Sequence, residues 1–403
     1  PRKGAAVKMD RPADESGRTT VSYYTMAQPV RKALTLTRRT CTMFDAVPSE
    51  HRDERLGIDM LHFECDYACG AAQPVLDALV RSNGEQTSGY GEDPHCERAR
   101  AIIREQCRRP DAAVHFVTGG TQANLTVIAA ALRPFEGVLC ADTGHINGHE
   151  TGAVEATGHK ILPLPGHEGK ISAAQVRAAV EAHRADATHE HMVRPAMVYI
   201  SHPTELGTLY TRQELQDLSD TCRALGIRLF LDGARLGYGL AAQPEVGLPF
   251  LAAVCDAFTI GGTKVGFLFG EAIVLTDEAL NDCFRYHIKQ RGGMLAKGRL
   301  LGVQFEAMLE NGDYTRLAAR ANDMAQELKL AFVRHGCALL CDTVANQIFP
   351  ILPDEAARRL SAGYVFSFWQ RVDETHQAVR FCTNVTTDRD DVDALLRDID
   401  RAF

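Results

Sequence analysis

Between residues 114 and 264, short, almost wholly apolar runs alternate with longer amphipathic stretches, and this alternation restricts the fold more than any other feature of the chain. The runs 114–117, 137–141, 160–164, 196–201, 227–232 and 258–260 have the length of strands and lack the polar alternation of a sheet with one wet face. The stretches 123–132, 173–183 and 212–225 between them repeat apolar positions at helical spacing. Such a pattern predicts an α/β fold, a mainly parallel sheet flanked by helices.

The 403 residues exceed what one small core organises. The expected division is a basic, flexible extension over 1–58, a large cofactor-binding domain over 59–312 and a smaller C-terminal α+β domain over 313–403. Helices over 72–81, 97–106 and 298–309, and a returning strand over 267–275, fall in the large domain. A helix over 314–335, strands at 338–341, 347–351 and 378–382, and a final helix from Asp388 fall in the small one.

Residues 1–44 carry nine Lys or Arg against three acids, so the net charge of −8 conceals a still more acidic body. An acidic body argues against a nucleic-acid surface, which needs a clustered basic face. No apolar run reaches the length of a membrane span. The expected location is the cytoplasm, or the mitochondrion if the Arg-rich head is a transit peptide. The 12 cysteines are scattered singly, without C-x-x-C, which predicts reduced buried thiols and neither disulfides nor a zinc cluster.

Three strand ends carry the chemistry. Thr118-Gly-Gly-Thr121 ends a strand and opens a helix, where free N–H groups and the helix dipole favour an anion such as a phosphate. The run at 227–232 stops on Asp232, followed by Gly233-Ala-Arg235. The segment Phe258-Thr-Ile-Gly-Gly-Thr-Lys264 presents a single lysine, whose amine becomes nucleophilic when burial or nearby cations lower its pKa. A phosphate cradle, an acid and an amine in this order point to pyridoxal 5'-phosphate, with Lys264 forming the Schiff base and Asp232 facing the ring nitrogen. His145 and His149, with Glu150, have the spacing of a helical metal site, but the intervening glycines argue against a helix there, so no metal is expected and His145 serves better stacked on a planar ring.

With these residues in hand, the span from about 61 to 402 resembles the low-specificity L-threonine aldolases of the aspartate-aminotransferase-like superfamily. Ser88-Gly-Tyr-Gly-Glu-Asp93, Gly119-Gly-Thr-Gln-Ala-Asn124, His145, Asp232-Gly-Ala-Arg235, the Lys264 segment and Val379-Arg-Phe-Cys-Thr-Asn-Val-Thr-Thr387 carry the resemblance. It implies that Gly120 and Thr121 bind the phosphate, His145 stacks on the ring, Asp232 holds its nitrogen and Lys264 is the covalent anchor. It also implies that Arg235 and Arg380 hold a substrate carboxylate, and that Tyr90 and Lys297 reach a neighbouring subunit's site in a homodimer or homotetramer. The implied activity is cleavage of L-threonine, L-allo-threonine or a related small β-hydroxy amino acid to glycine and an aldehyde. A β-eliminating lyase or aminotransferase on the same cofactor is the alternative, and a non-catalytic binding protein the remote one. Two positions depart from many family members: Cys65 stands before Asp66 in place of Ser, and Glu205 stands where His is common, so Glu205 enters the substrate site and the base for the β-hydroxyl is left open.

Overall fold

The computed structural model describes residues 60–403, so the expectations for the extension 1–58 lie outside the described residues. In chain order the first part comprises β1 (Leu61–His62), α1 (Gln73–Ser82), α2 (Pro94–Cys107), β2 (Ala113–Val117), α3 (Gly120–Ala131), β3 (Glu136–Ala141), α4 (His145–Gly148) and β4 (Lys160–Leu164). It continues with α5 (Ala173–Ala185), β5 (Arg194–Ser201), α6 (Arg212–Leu225), β6 (Arg228–Asp232), α7 (Leu236–Ala242), α8 (Leu248–Val254), β7 (Ala257–Gly261) and β8 (Glu271–Leu275). Local chemistry sets the helix ends. Asp93 caps α2, Ser172 and Thr211 make capping boxes with Gln175 and Glu214 at the starts of α5 and α6, and Gly226 closes α6 at φ 63°, where a Cβ would be strained.

β2 to β8 form one sheet in the order β2-β8-β7-β6-β5-β3-β4. All neighbours are parallel except β8, which runs antiparallel to both β2 and β7. Alternate residues of one strand enter different cores: Leu229 and Leu231 of β6 pack in one cluster and Phe230 in the other, all with no exposed area. Both faces are therefore covered, which is why these runs are continuously apolar. Each such side chain contributes roughly 1.5–3 kcal/mol by burial. The parallel arrangement brings the carboxyl ends of β2, β5, β6 and β7 to one edge, where open α/β sheets bind ligands.

The remaining elements are α9 (Glu278–Asn281), α10 (Phe284–Gln290), α11 (Arg299–Leu309), α12 (Asp313–Arg334), β9 (Gln347–Ile348), β10 (Ile351–Pro353), α13 (Asp354–Leu360), β11 (Tyr364–Val365), β12 (Ser367–Arg371), β13 (His376–Cys382) and α14 (Arg389–Ala402). β10, β13 and β12 pair antiparallel in that order, and β9 joins β13. Phe332, Leu352, Val379, Phe381 and Ile399 gather in a third cluster under α12 and α14. β1 pairs with β11, and Phe63 packs in this third cluster, so the start of the described chain is built into the C-terminal layer.

Three local expectations are corrected. The strand at 338–341 does not form, because Leu339 makes only an isolated bridge to Pro350. The single strand at 347–351 divides into β9 and β10 around Phe349 and Pro350, since proline has no N–H for a ladder. The glycines near His145 permit one helical turn, α4, ending at Gly148. The cysteines among the described residues are all free, and burial pushes the Cys107 and Cys222 thiols up to about 12, which keeps them protonated.

Candidate active site

A cavity of about 270 Å³ opens at the carboxyl edge of the large sheet. Thr118–Thr121, His145, Ser201, Glu205, Asp232, Arg235, Lys264 and Glu271 line it, together with Pro203, Ala234, Thr263 and Phe269. Seven of the residues singled out in the sequence thus meet in one place: Gly120, Thr121, His145, Glu205, Asp232, Arg235 and Lys264.

Asp232 ends β6, 4% exposed, in a fixed orientation. Its Oδ2 accepts hydrogen bonds from Tyr199 Oη (2.7 Å) and Asn124 Nδ2 (2.8 Å), and its Oδ1 accepts one from the Ala234 N–H (2.9 Å). Asn124 lies on α3 and also donates to Glu150 Oε1 at 2.8 Å, while His145 Nδ1 stands 2.8 Å from that same oxygen. An ionised carboxylate only accepts, so Nδ1–H donates to Glu150, which fixes the His145 ring. Tyr199, Asn124 and Glu150 therefore brace Asp232 and His145.

Glu205 Oε1 accepts from the His145 N–H (2.9 Å) and from Ser201 Oγ (2.6 Å). Burial pushes its carboxyl above the ordinary range, with the charge of Asp232 adding to the effect. Lys264 follows the Gly261-Gly262 turn after β7. Burial and then the Arg235 guanidinium push its amine below the ordinary lysine range, against the pull of Asp66 and Asp232.

Arg235 is held by a partner that the sequence did not disclose. Asp66 accepts from its Nε at 2.6 Å and its Nη2 at 2.9 Å, and Asn346 Nδ2 adds a third bond at 2.9 Å. One edge of the guanidinium, Nε and Nη2, is therefore committed to a buried carboxylate. Arg380 differs: its Nη2 donates to the Glu64 carbonyl oxygen at 2.8 Å, and its buried Nε has no partner. It stands outside the cavity lining, with its guanidinium 5.7 Å from the Trp369 ring centre. Tyr90 and Lys297 also stand outside the cavity. Both are exposed, and the Tyr90 N–H donates to the carbonyl of Ala296, so they share one surface.

These residues fit pyridoxal 5'-phosphate. No side chain caps the N-terminus of α3, and a Cβ built on Gly119 or Gly120 would meet nothing within 4 Å, which leaves room for a phosphate against the first N–H groups. Asp232, held by three donors, suits a pyridinium nitrogen, and a lysine with a lowered pKa suits an aldehyde carbon. Sequence reasoning missed Tyr199 and Glu271, and it noted Asp66 and Glu150 without the supporting roles they have here. Only Glu271, a lone acid in an apolar strand, carried a local signal.

Known proteins share this arrangement of fold and sequence. The Beta-eliminating lyase family profile matches residues 68–353. The low specificity L-threonine aldolase of Pseudomonas aeruginosa is 32% identical over 342 residues, spanning 84% of this chain and 96% of that protein. The structure described as Leishmania major threonine aldolase superposes with a TM-score of 0.82 at 41% identity, covering 85% of this chain and 99% of that one. Aspartate aminotransferase from Thermus thermophilus, at 15% identity and a TM-score of 0.60 over 87% of this chain and 93% of its own, shares the fold.

Proposed function

The chain belongs to the beta-eliminating lyase family and within it to the low-specificity L-threonine aldolases, and from that premise we propose that it cleaves the Cα–Cβ bond of L-threonine, L-allo-threonine or a related small β-hydroxy amino acid to glycine and an aldehyde. The observation that carries this reading is the meeting of Lys264, Asp232 and the open start of α3 around one cavity. When bound there, pyridoxal 5'-phosphate supplies the electron sink that accepts the pair left by Cα–Cβ cleavage.

The protein's own groups do the rest. The N–H groups of Gly120 and Thr121 hold the phosphate, and the His145 ring covers the cofactor face. Asp232 keeps a proton on the ring nitrogen. Lys264 would be the covalent anchor, and burial, which lowers its pKa, favours the nucleophilic amine. Arg235, steadied at the cavity wall by Asp66, takes the substrate carboxylate, and Arg380 is its second holder. Glu205, its Oε1 pinned by His145 and Ser201, withdraws the β-hydroxyl proton and returns it during turnover, and its raised pKa brings its basicity nearer to neutral pH. Tyr90 and Lys297 serve the site of a neighbouring copy in a homodimer or homotetramer; an active monomer in light scattering would contradict that assignment.

Purified protein incubated with threonine, allo-threonine, serine and cysteine tests the reading. Acetaldehyde and glycine in equal amounts from threonine are expected. Pyruvate or 2-oxobutyrate without acetaldehyde would instead establish a β-eliminating lyase.

A further inference from the structure

Glu271 is the one carboxyl in the cavity with no place in the scheme above. It opens β8, is 2% exposed, and lies opposite Val117 of β2 and Gly261 of β7. Its Oε2 is buried without a hydrogen-bond partner. The chain between Gly261 and Glu271 folds back tightly: Gly262 N–H donates to the Gly270 carbonyl at 2.9 Å, and Gly270 N–H donates to Thr263 Oγ1 at 3.1 Å. That turn brings both Lys264 and Glu271 into the lining of one cavity.

The groups facing Glu271 are Asp232 at the end of β6, Lys264 and Thr263 beyond β7, and Tyr314 of α12, while Val117 of β2 brings no charge. A carboxylate here would sit desolvated in the same cavity as Asp232 and the cradle meant for a phosphate. Burial and then Asp232 accordingly push the Glu271 carboxyl well above the ordinary range, with Lys264 and a hydrogen bond from Thr263 pulling the other way. An unpartnered acid oxygen that lines the same cavity as the lysine assigned to anchor the cofactor is available to exchange a proton with it.

Building on the assignment of Lys264 as the cofactor anchor, we infer that Glu271 is the proton partner of Lys264. When the lysine nitrogen gains a proton, the Glu271 O–H bond breaks and an N–H bond forms, giving carboxylate and ammonium. The reverse transfer restores the acid and the neutral amine. No charge enters or leaves the cavity, which matters where burial makes a net charge costly.

Two measurements test this. In the cofactor-free protein, infrared spectroscopy should show a carboxylic-acid C=O band at neutral pH that is absent from Glu271→Gln. Its titration midpoint should move down by about one pH unit or more in Lys264→Arg, where a fixed positive charge replaces the neutral amine, the size expected when two sites are strongly coupled. In calorimetry with buffers of different ionisation enthalpy, loading pyridoxal 5'-phosphate should draw about one proton more from solvent in Glu271→Gln than in the wild type. The absence of the band from the wild type, a midpoint indifferent to Lys264, or equal proton counts would each overturn the inference. If Glu271→Gln does not fold, loss of the wild-type band on cofactor loading supports the transfer and a constant band refutes it. Failure of the cofactor to attach to Lys264 would instead overturn the proposed function, and the cofactor-free infrared titrations would still decide the role of Glu271.

Discussion

Replacing Asp66 with Asn should destabilise the protein far more than an ordinary surface change. The Asp66 side chain is fully buried and that of Arg235 is 11% exposed, and two of the three hydrogen bonds on the carboxylate come from that guanidinium. Removing one partner of such a pair leaves a buried charge uncompensated, at a cost of about 3–5 kcal/mol. Because Asn keeps one acceptor oxygen, the lower end, about 3 kcal/mol, is expected. Urea unfolding of the cofactor-free variant followed by circular dichroism should show a lower midpoint with an unchanged slope.

The pH dependence supplies a second check. Although burial alone would raise the Asp66 pKa, Arg235 and Asn346 hold it below the ordinary range. A depressed folded-state pKa gives stability that is complete above the unfolded value, about 3.9, and is lost as pH falls through the lower folded value. The gap between wild type and Asp66→Asn should therefore be constant at neutral pH and close in acid. Adding Arg235→Met should recover part of the loss, because an apolar replacement leaves no stranded charge. A gap below about 1 kcal/mol, or one that persists undiminished in acid, would refute the reasoning.

Other perturbations separate the roles assigned to the cavity. Glu205→Gln should lower kcat for threonine cleavage by about 10²–10⁴ with cofactor affinity unchanged, and should abolish the acid limb of the pH–rate profile, since a base with a raised pKa loses activity as pH falls through that value; full activity would remove Glu205 from the role of base. Gly120→Ala should keep its folding stability, because the new Cβ meets nothing within 4 Å in the protein, yet should weaken pyridoxal 5'-phosphate by roughly tenfold in equilibrium dialysis. Unchanged affinity would move the phosphate elsewhere.

The residues legible in the sequence are those whose chemistry is local. Lys264, Asp232 and Thr118–Thr121 each terminate a strand of the apolar rhythm, and a charged or glycine-rich end on a buried strand is visible without knowing what it faces. The supporting residues were not legible, because their role exists only across the fold. Asp66 and Arg235 are 169 positions apart, and Tyr199, Asn124 and Glu150 reach Asp232 and His145 from separate elements. β12 escaped for another reason: most of Ser367–Arg371 is exposed or half-buried, so the apolar pattern that marks a strand is missing. The apolar rhythm at 267–275 indicated a strand and passed over the one acid within it, Glu271.

The central claim is that Lys264 anchors the cofactor and that threonine is cleaved there. Borohydride reduction of the cofactor-loaded wild type followed by peptide mapping should place the cofactor on Lys264, and the same preparation without borohydride should convert threonine to glycine and acetaldehyde in equal amounts. Lys264→Ala should retain no reducible adduct and release no acetaldehyde. An adduct on another lysine, or a Lys264→Ala protein that still releases acetaldehyde at the wild-type rate, would contradict the account.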